Sequence, residues 1–498
     1  MELTSSTAPA PALWSWVEWR ADRTPTGLLA LDEHDRRLDF GTFRDEGERV
    51  AAGLLASGIE PGSRVAWAGP TRFESLLLSV ALARLGCEQV PLLPSYGPRE
   101  REFMLEESRP ANLLAWEDDE AGDGPDLHGR LPTNDPSLLP PFEAPSDDPL
   151  RWIFYTSGTT SEPKGALHSD GTLLGAAVGL EVPHAFSPDD RVSLLFPFAH
   201  IGGPSLLLSA LRIGHALILA ERFDPALAIP TLSRHGVTLA GSGPAFWQAF
   251  IAAQRAEPTR PLFPKLRALI GGGAAKPAHL HDEAREVLRV PIVSGYGSTE
   301  CPGLAYNHVG DSEAVLATDG RAVEGVEIRI GDGLSEDRPA GQEGEIRVRG
   351  PMLFRGYLDE EANDGLFDAQ GFFRTGDLGR LDAAGQLRVT GRLKDVIIRK
   401  GENISAKEIE DVLGRIDAIA DVSVIGLPDP ERGERCCAIV VPAEPGAALQ
   451  LSDLIAACNE AGLMRQKHPE QLELVEQLPR NDTGKVLKAE LRARFTNA

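Results

Sequence analysis

Tyr155-Thr156-Ser157-Gly158-Thr159-Thr160-Ser161-Glu162-Pro163-Lys164-Gly165 comes directly off Arg151 to Tyr155, an apolar run that reads as a buried strand. Glycines free the backbone, consecutive hydroxyls supply donors, and Lys164 adds a positive charge. Together these make a cradle for phosphate oxygens. The spacing is not that of a Walker A loop, because five positions after Gly158 stands Pro163 rather than the required glycine-lysine pair. A polar surface turn is the plainer reading of the stretch taken alone.

Upstream, Leu28 to Leu31 and Arg37 to Phe40 read as a strand pair, and Phe43, Val50, Leu54 and Leu55 fall on one helix face. Arg64 to Trp67 reads as a strand, Glu74 to Leu85 as a buried helix, and Glu88 to Pro91 as another strand. Strand, helix, strand repeated predicts an α/β layered domain. Glu117 to Asp148, rich in Asp, Pro and Gly, reads as surface loop.

Downstream, strands are expected at Val192 to Phe196, Ala216 to Leu219, Val237 to Ala240, Leu266 to Ile270 and Pro291 to Ser294. From Val326 the pattern changes to strands parted by Gly-rich turns, at Val326 to Ile330, Gly344 to Arg349 and Gln386 to Val389. That predicts a small β unit. Beyond Gly391 come strand Val396 to Arg399, helix Ala406 to Gly414, strands Val422 to Gly426 and Cys436 to Val441, helix Leu451 to Ala461 and strand Leu472 to Val475. This is an α+β domain of ordinary size. The expected organisation is a large α/β N-terminal domain, residues 1–393, and a smaller mobile α+β domain, residues 394–498.

The 498 residues suit roughly two to four domains. Lys+Arg 50 against Asp+Glu 74 gives a formal charge of −24, which repels nucleic acid and anionic membrane. An anionic substrate must therefore be drawn in by a few placed cations. Cys87, Cys301, Cys436, Cys437 and Cys458 form no disulfide framework and no zinc spacing. No signal peptide is legible before Trp16, and the longest apolar segments are interrupted by Arg84 or by Arg212, Gly214 and His215. A cytoplasmic location is expected.

Six further segments could carry chemistry. Gly271-Gly272-Gly273-Ala274-Ala275 follows a strand and reads either as a turn or as a surface against which a flat base can lie. Gly295-Tyr296-Gly297-Ser298-Thr299-Glu300 offers a ring, a hydroxyl and a carboxylate, or a buried tyrosine with a capping pair. Arg374-Thr375-Gly376-Asp377 is followed fifteen residues later by Arg392, and the two could equally form a surface ion pair. Gly391-Arg392-Leu393-Lys394-Asp395 leads into Arg399-Lys400-Gly401-Glu402-Asn403-Ile404, after which Ser405 and Glu408 have capping spacing. Pro479-Arg480-Asn481-Asp482-Thr483-Gly484-Lys485 lies near the C-terminus.

In this order, the segments resemble the adenylate-forming superfamily of acyl-CoA synthetases, peptide-synthetase adenylation domains and luciferases, over nearly the whole chain. The resemblance implies that Thr156, Ser157, Gly158, Thr159, Thr160 and Lys164 bind the ATP phosphates, with Gly165 also matching. Ser161 stands where the family usually has glycine, at an energetic cost if that position needs a positive φ. It implies that Gly273, Ala274 and Ala275 line the adenine pocket and that Tyr296 stacks on the base. Asp377 would hold the ribose hydroxyls beside Arg392, Thr299 the α-phosphate and Glu300 a Mg²⁺ ion. Lys394 would be the hinge, Lys400, Gly401 and Glu402 the loop of the CoA step, and Lys485 the catalytic lysine of adenylation.

Phe196-Pro197-Phe198-Ala199-His200-Ile201-Gly202-Gly203 matches the segment that gates carboxylate entry in that family, which makes His200 a candidate at the pocket mouth; a neutral structural histidine is the other reading. Gly202, Ser242, Phe246, Cys301 and Pro302 are the other candidate walls. No aspartate in the His200 segment is available to hold a substrate ammonium, so an α-amino acid is disfavoured. The expected activity is an ATP- and Mg²⁺-dependent acid:CoA ligase for a medium-chain, alicyclic or aromatic acid, acting as a monomer or homodimer. The alternatives are an adenylating enzyme that loads a carrier-protein thiol and a nucleotide-binding regulator that has lost the chemistry.

Overall fold

Short apolar runs alternating with amphipathic helices assemble into layered sheets, because each strand hides its two faces under helices. The computed structural model describes residues 8–115, 131–156, 163–273, 276, 278–331, 337–399, 402–430, 432–444, 446, 449–481 and 484–496. A five-stranded sheet runs Asn112–Ala115, Arg64–Ala68, Glu88–Leu92, Leu150–Thr156 and Lys164–Ser169, with only the last strand antiparallel. A nine-stranded sheet runs Arg321–Ala322, Ala305–Tyr306, Ile292–Tyr296, Ala268–Gly271, Leu239–Ala240, Arg191–Leu194, Ala216–Leu219, Leu28–Leu31 and Arg37–Asp39. Both faces are covered, and Trp14, Trp67, Trp152 and Trp247 are wholly buried.

The expected β unit is a four-stranded antiparallel sheet, Glu327–Gly331, Gly344–Arg349, Phe373–Leu381 and Leu387–Arg392. Its third strand was not foreseen, since Arg374-Thr375-Gly376 gives it no apolar alternation. A separate sheet is formed by Glu402–Ser405, Val396–Arg399, Gly433–Pro442 and Ile419–Asp429, with Gln471–Leu474 parallel to Gly433–Pro442. Ser405 caps the helix Ala406–Leu413 as its spacing predicts, accepting from the Glu408 N–H.

Two local expectations are corrected. Phe40 ends no strand: Asp39 accepts from the Thr42 N–H and caps a helix that starts at Phe40. The strand expected at Val237 to Ala240 shrinks to Leu239–Ala240. An unforeseen helix, Leu13–Arg23, is moored by the buried Asp170, which accepts from the Leu13 N–H at 2.9 Å and from Trp152 Nε1 at 2.7 Å. Of the expected loop, residues 131–148 carry one 3₁₀ turn, Pro136–Leu138, and residues 117–130 lie outside the described residues. Among the described residues no helix is long and apolar enough to cross a membrane.

Candidate active site

The last two strands of the first sheet flank the segment expected to bind phosphate. Leu150–Thr156 and Lys164–Ser169 pair as a hairpin with Thr156 opposite Lys164, so the segment between them is the hairpin's connection. Ser157, Gly158, Thr159, Thr160 and Ser161 lie outside the described residues, as do Ala274, Ala275, Lys400 and Gly401. Lys164 stands with its Nζ 5.0 Å from the ring centroid of Tyr357. That is cation–π geometry, worth about 1 kcal/mol at a partly exposed site.

Three backbones converge at the end of the second sheet. The Gly272 N–H donates to the Ser242 carbonyl at 2.8 Å, and a Cβ added at Gly272 would stand 2.7 Å from the Gly295 oxygen. Glycine is required there by this approach. The strand Ile292–Tyr296 then delivers Tyr296, whose hydroxyl donates to Asp377 Oδ2 at 2.5 Å. Burial and the Asp377 carboxylate push that phenol well above its ordinary pKa, so it remains a donor.

Asp377 and Arg392, fifteen residues apart in sequence, are direct partners across the antiparallel pair Phe373–Leu381 and Leu387–Arg392. Arg392 Nε reaches Asp377 Oδ1 at 2.8 Å, and Asp377 is 4% exposed. Oδ2 thus accepts from Tyr296 and Oδ1 faces the Arg392 ion pair, and each oxygen keeps a lone pair for another donor.

The turn after Tyr296 is tied twice. Ser298 and Cys301 exchange backbone hydrogen bonds, and the buried His168 bridges Thr172 Oγ1 and the Thr299 carbonyl, each at 2.9 Å. Burial lowers the His168 pKa to about 4, so the bridge is made by a neutral ring. Glu300 accepts from the Tyr357 hydroxyl at 2.6 Å through Oε1. Neither His168 nor Tyr357 was found by sequence reasoning. A lone histidine, and a tyrosine within Arg355-Gly356-Tyr357-Leu358, gave no signal at the level of spacing.

From the far end of the chain, the segment around Gly484 packs on the helix Pro244–Ala256, where a Cβ at Gly484 would meet that of Ala245 at 3.6 Å. Lys485 is thereby carried into the field of Arg392, Asp377, Asp395 and Glu300. Burial, then Arg392, lowers its pKa to about 8, while the three carboxylates work against that shift. Lys394 is exposed on the 3₁₀ turn Leu393–Asp395, and its neighbour Asp395 accepts from Arg492 at 2.8 Å. Glu402 lies in the strand that follows the undescribed Lys400 and Gly401.

The acyl side is poorer in polar contacts. His200 Nδ1 accepts from the Gly202 N–H at 3.2 Å, which assigns the ring proton to Nε2, and Phe196 meets the ring edge-on at 5.8 Å. Burial lowers its pKa to about 4. Thr71 fixes this loop by donating to the Phe196 carbonyl and accepting from the Phe198 N–H, both at 3.0 Å. Phe246 is 4% exposed and packs on Phe223 with centroids 4.3 Å apart, within the second sheet's core. Cys301 is buried, and burial raises its thiol pKa far above the nucleophilic range. Pro302 is half-buried on the same turn.

A family model described as AMP-binding enzyme matches residues 17–358, and one described as AMP-binding enzyme C-terminal domain matches residues 408–485. Indoleacetate–CoA ligase of Aromatoleum aromaticum is 34% identical over 96% of this chain and 97% of its own length. The 3-[(3aS,4S,7aS)-7a-methyl-1,5-dioxo-octahydro-1H-inden-4-yl]propanoyl:CoA ligase of Mycobacterium tuberculosis is 33% identical over 93% of this chain and 95% of its own length. ATP-bound MatB from Rhodopseudomonas palustris has a TM-score of 0.88 at 27% identity, covering 98% of this chain and 99% of that one.

Proposed function

The chain belongs to the AMP-binding enzyme family, and on that premise we infer that it is an AMP-forming acid:CoA ligase for a medium-chain, alicyclic or aromatic carboxylic acid. The observation that carries this reading is that Lys485, from the end of the chain, lies within the electrostatic reach of Arg392, Asp377, Asp395 and Glu300. A lysine charge kept in a half-buried position within reach of these groups is poorly explained by stability, since burial of its charge is costly. It is well explained if an anion is to come between them.

In the first half-reaction a carboxylate oxygen of the acid attacks the α-phosphorus of ATP in line. An oxygen–phosphorus bond forms to the acid, the bond to the β-phosphate bridge breaks, and pyrophosphate leaves. Tyr296 and Gly273 flank the adenine, Asp377 accepts the ribose hydroxyls with its remaining lone pairs, and Thr156 and Lys164 hold the β- and γ-phosphates. Thr299 donates to the α-phosphate. Lys485 stabilises the charge that builds between carboxylate and phosphorus, in a site dry enough to make that charge count.

Glu300 suits a magnesium ion. Its carboxylate is a hard oxygen donor held by Tyr357, on whose ring Lys164 sits, and hard cations of this size combine one or two carboxylates with substrate phosphates. When bound, the ion neutralises charge on the departing pyrophosphate.

In the second half-reaction the CoA sulfur attacks the acyl carbon, the mixed-anhydride bond breaks, AMP leaves and the thiol proton passes to solvent. Residues 394–498 turn about Lys394, withdrawing Lys485 and presenting Lys400, Gly401 and Glu402. Exposure of Lys394 supports this, because its backbone can rotate without disturbing a core. The neutral His200 gates the acid, with Gly202, Ser242 and Pro302 nearby along the tail. Five unpaired cysteines suit a reducing cytoplasm.

The test is pyrophosphate release with ATP and Mg²⁺ over a panel of acyl, alicyclic, aryl and amino acids, with CoA, with a carrier protein, or with neither. An acid-dependent signal that Lys485→Ala suppresses, with thioester formed on CoA, is expected. Thioester on the carrier alone moves the reading to carrier loading, and intact ATP binding without release for any acid overturns it.

A further inference from the structure

We propose that Tyr357 is a positioning residue that locks the Glu300 carboxylate and the Lys164 ammonium into one register, so that adenylation depends on it and thioester formation does not. The inference rests on the nucleotide roles proposed above for Glu300 and Lys164. The phenol makes two contacts at once. Its hydroxyl donates to Glu300 Oε1 at 2.6 Å, leaving Oε2 unclaimed by it, and its ring face lies 5.0 Å beneath Lys164 Nζ.

The segment that carries Tyr357 is built as a strut between the two motifs. On one side it is stitched to the strand leaving the phosphate segment: Arg355 N–H donates to the Leu167 carbonyl at 2.8 Å, Leu167 N–H to Gly356 at 2.9 Å and Leu358 N–H to Gly165 at 2.8 Å. On the other, the Phe354 N–H donates to the Glu300 carbonyl at 2.9 Å. The Tyr357 backbone is clamped as well, with its N–H on Asn363 Oδ1 at 2.7 Å and its carbonyl accepting from Asn363 Nδ2 at 3.0 Å. Gly356, at φ +106°, supplies the turn that a side chain would strain. Phe354 packs edge-on to the ring at 5.0 Å, so the phenol is 8% exposed and held on every side but that of its two partners.

A carboxylate fixed through one oxygen presents the other in a defined direction, which is what a single protein ligand to a small, geometrically demanding cation requires. A lysine seated on a ring face loses rotamers before the phosphates arrive. Both effects concern the β- and γ-phosphates and their cation. Once pyrophosphate has left, nothing in this strut touches the bond that the thiol breaks.

Tyr357→Phe removes the hydroxyl and keeps the ring, whereas Tyr357→Leu removes both. Mn²⁺ binding to the ATP-loaded protein, followed by electron paramagnetic resonance, is expected to weaken about 10-fold in Tyr357→Phe, and the KM for ATP to rise further in Tyr357→Leu. Thioester formation from synthetic acyl-adenylate and CoA, which bypasses the first step, is expected to stay within about 2-fold of wild type in Tyr357→Phe and so also certifies its fold. Unchanged Mn²⁺ affinity, or equal losses in both half-reactions, overturns the proposal. If wild type binds Mn²⁺ and ATP yet shows no acid-dependent pyrophosphate exchange, the assigned reaction fails while the metal arm still decides the role of Tyr357.

Discussion

The regions proposed for the nucleotide and for the acid are built by opposite means. Tyr296 donates to Asp377 at 2.5 Å, Arg392 forms an ion pair with the same carboxylate at 2.8 Å, and Lys485 enters the same field. His200 has one weak backbone donor and an aromatic edge, while Phe246 and Cys301 are buried in two separate apolar cores. A polar network fixes one ligand in one orientation, because every lost partner leaves a buried group unpaired. An apolar wall discriminates by volume alone and only modestly. On the residue roles proposed above, ATP would be held by specific polar contacts and the acid mainly by the shape of its wall.

The largest expected break in that contrast is Lys485→Ala, which should lower the adenylation kcat by about 10²- to 10³-fold while leaving the rank order of acids unchanged. A reordered panel would mean that the two halves are coupled. Asp377→Asn should raise the KM for ATP by roughly 10- to 100-fold, since the amide mispairs with Arg392 and with the ribose hydroxyls, and steady-state pyrophosphate release at varied ATP measures it.

The pH profile sharpens the comparison. Lys485 is charged below its lowered pKa and neutral above it, so kcat/KM for adenylation should fall as pH rises through about 8. His200, lowered to about 4, is already neutral throughout the working range and should add no ascending limb between pH 6 and 7. An ascending limb there that vanishes in His200→Phe would give the histidine an acid–base role and refute the gate. The smallest effect belongs to His200→Ala, which should shift selectivity between bulky and slender acids by roughly 10-fold with the KM for ATP unchanged.

How much of this was legible followed the range of the interactions. Ser405 and Glu408, three residues apart, act within one helical turn, so spacing alone exposed the cap. Asp377 and Arg392 stand on adjacent strands of a hairpin, and their separation in sequence is set by the short connection at residues 382–386 plus the strand residues on either side of it. Tyr357 meets Glu300 across 57 residues and lies on Lys164 across a still longer interval, and no periodicity encodes such a meeting. The Leu13–Arg23 helix escaped for a related reason: its start depends on Asp170, a partner 157 residues away. The acyl wall stayed obscure because Phe246 reads the same in sequence whether it faces a ligand or Phe223.

Gly272 and Gly295 touch so closely that even a methyl group on either would collide, with the Gly295 oxygen at 2.7 Å in one case and the Tyr306 ring at 2.1 Å in the other. Mutational drift therefore meets a floor beneath the nucleotide that cannot be resurfaced one residue at a time. New acid preferences have to be explored at the opposite wall, where side chains can grow or shrink without the reaction being lost. A lineage descended from this chain should diversify in what it activates long before it changes what it activates with.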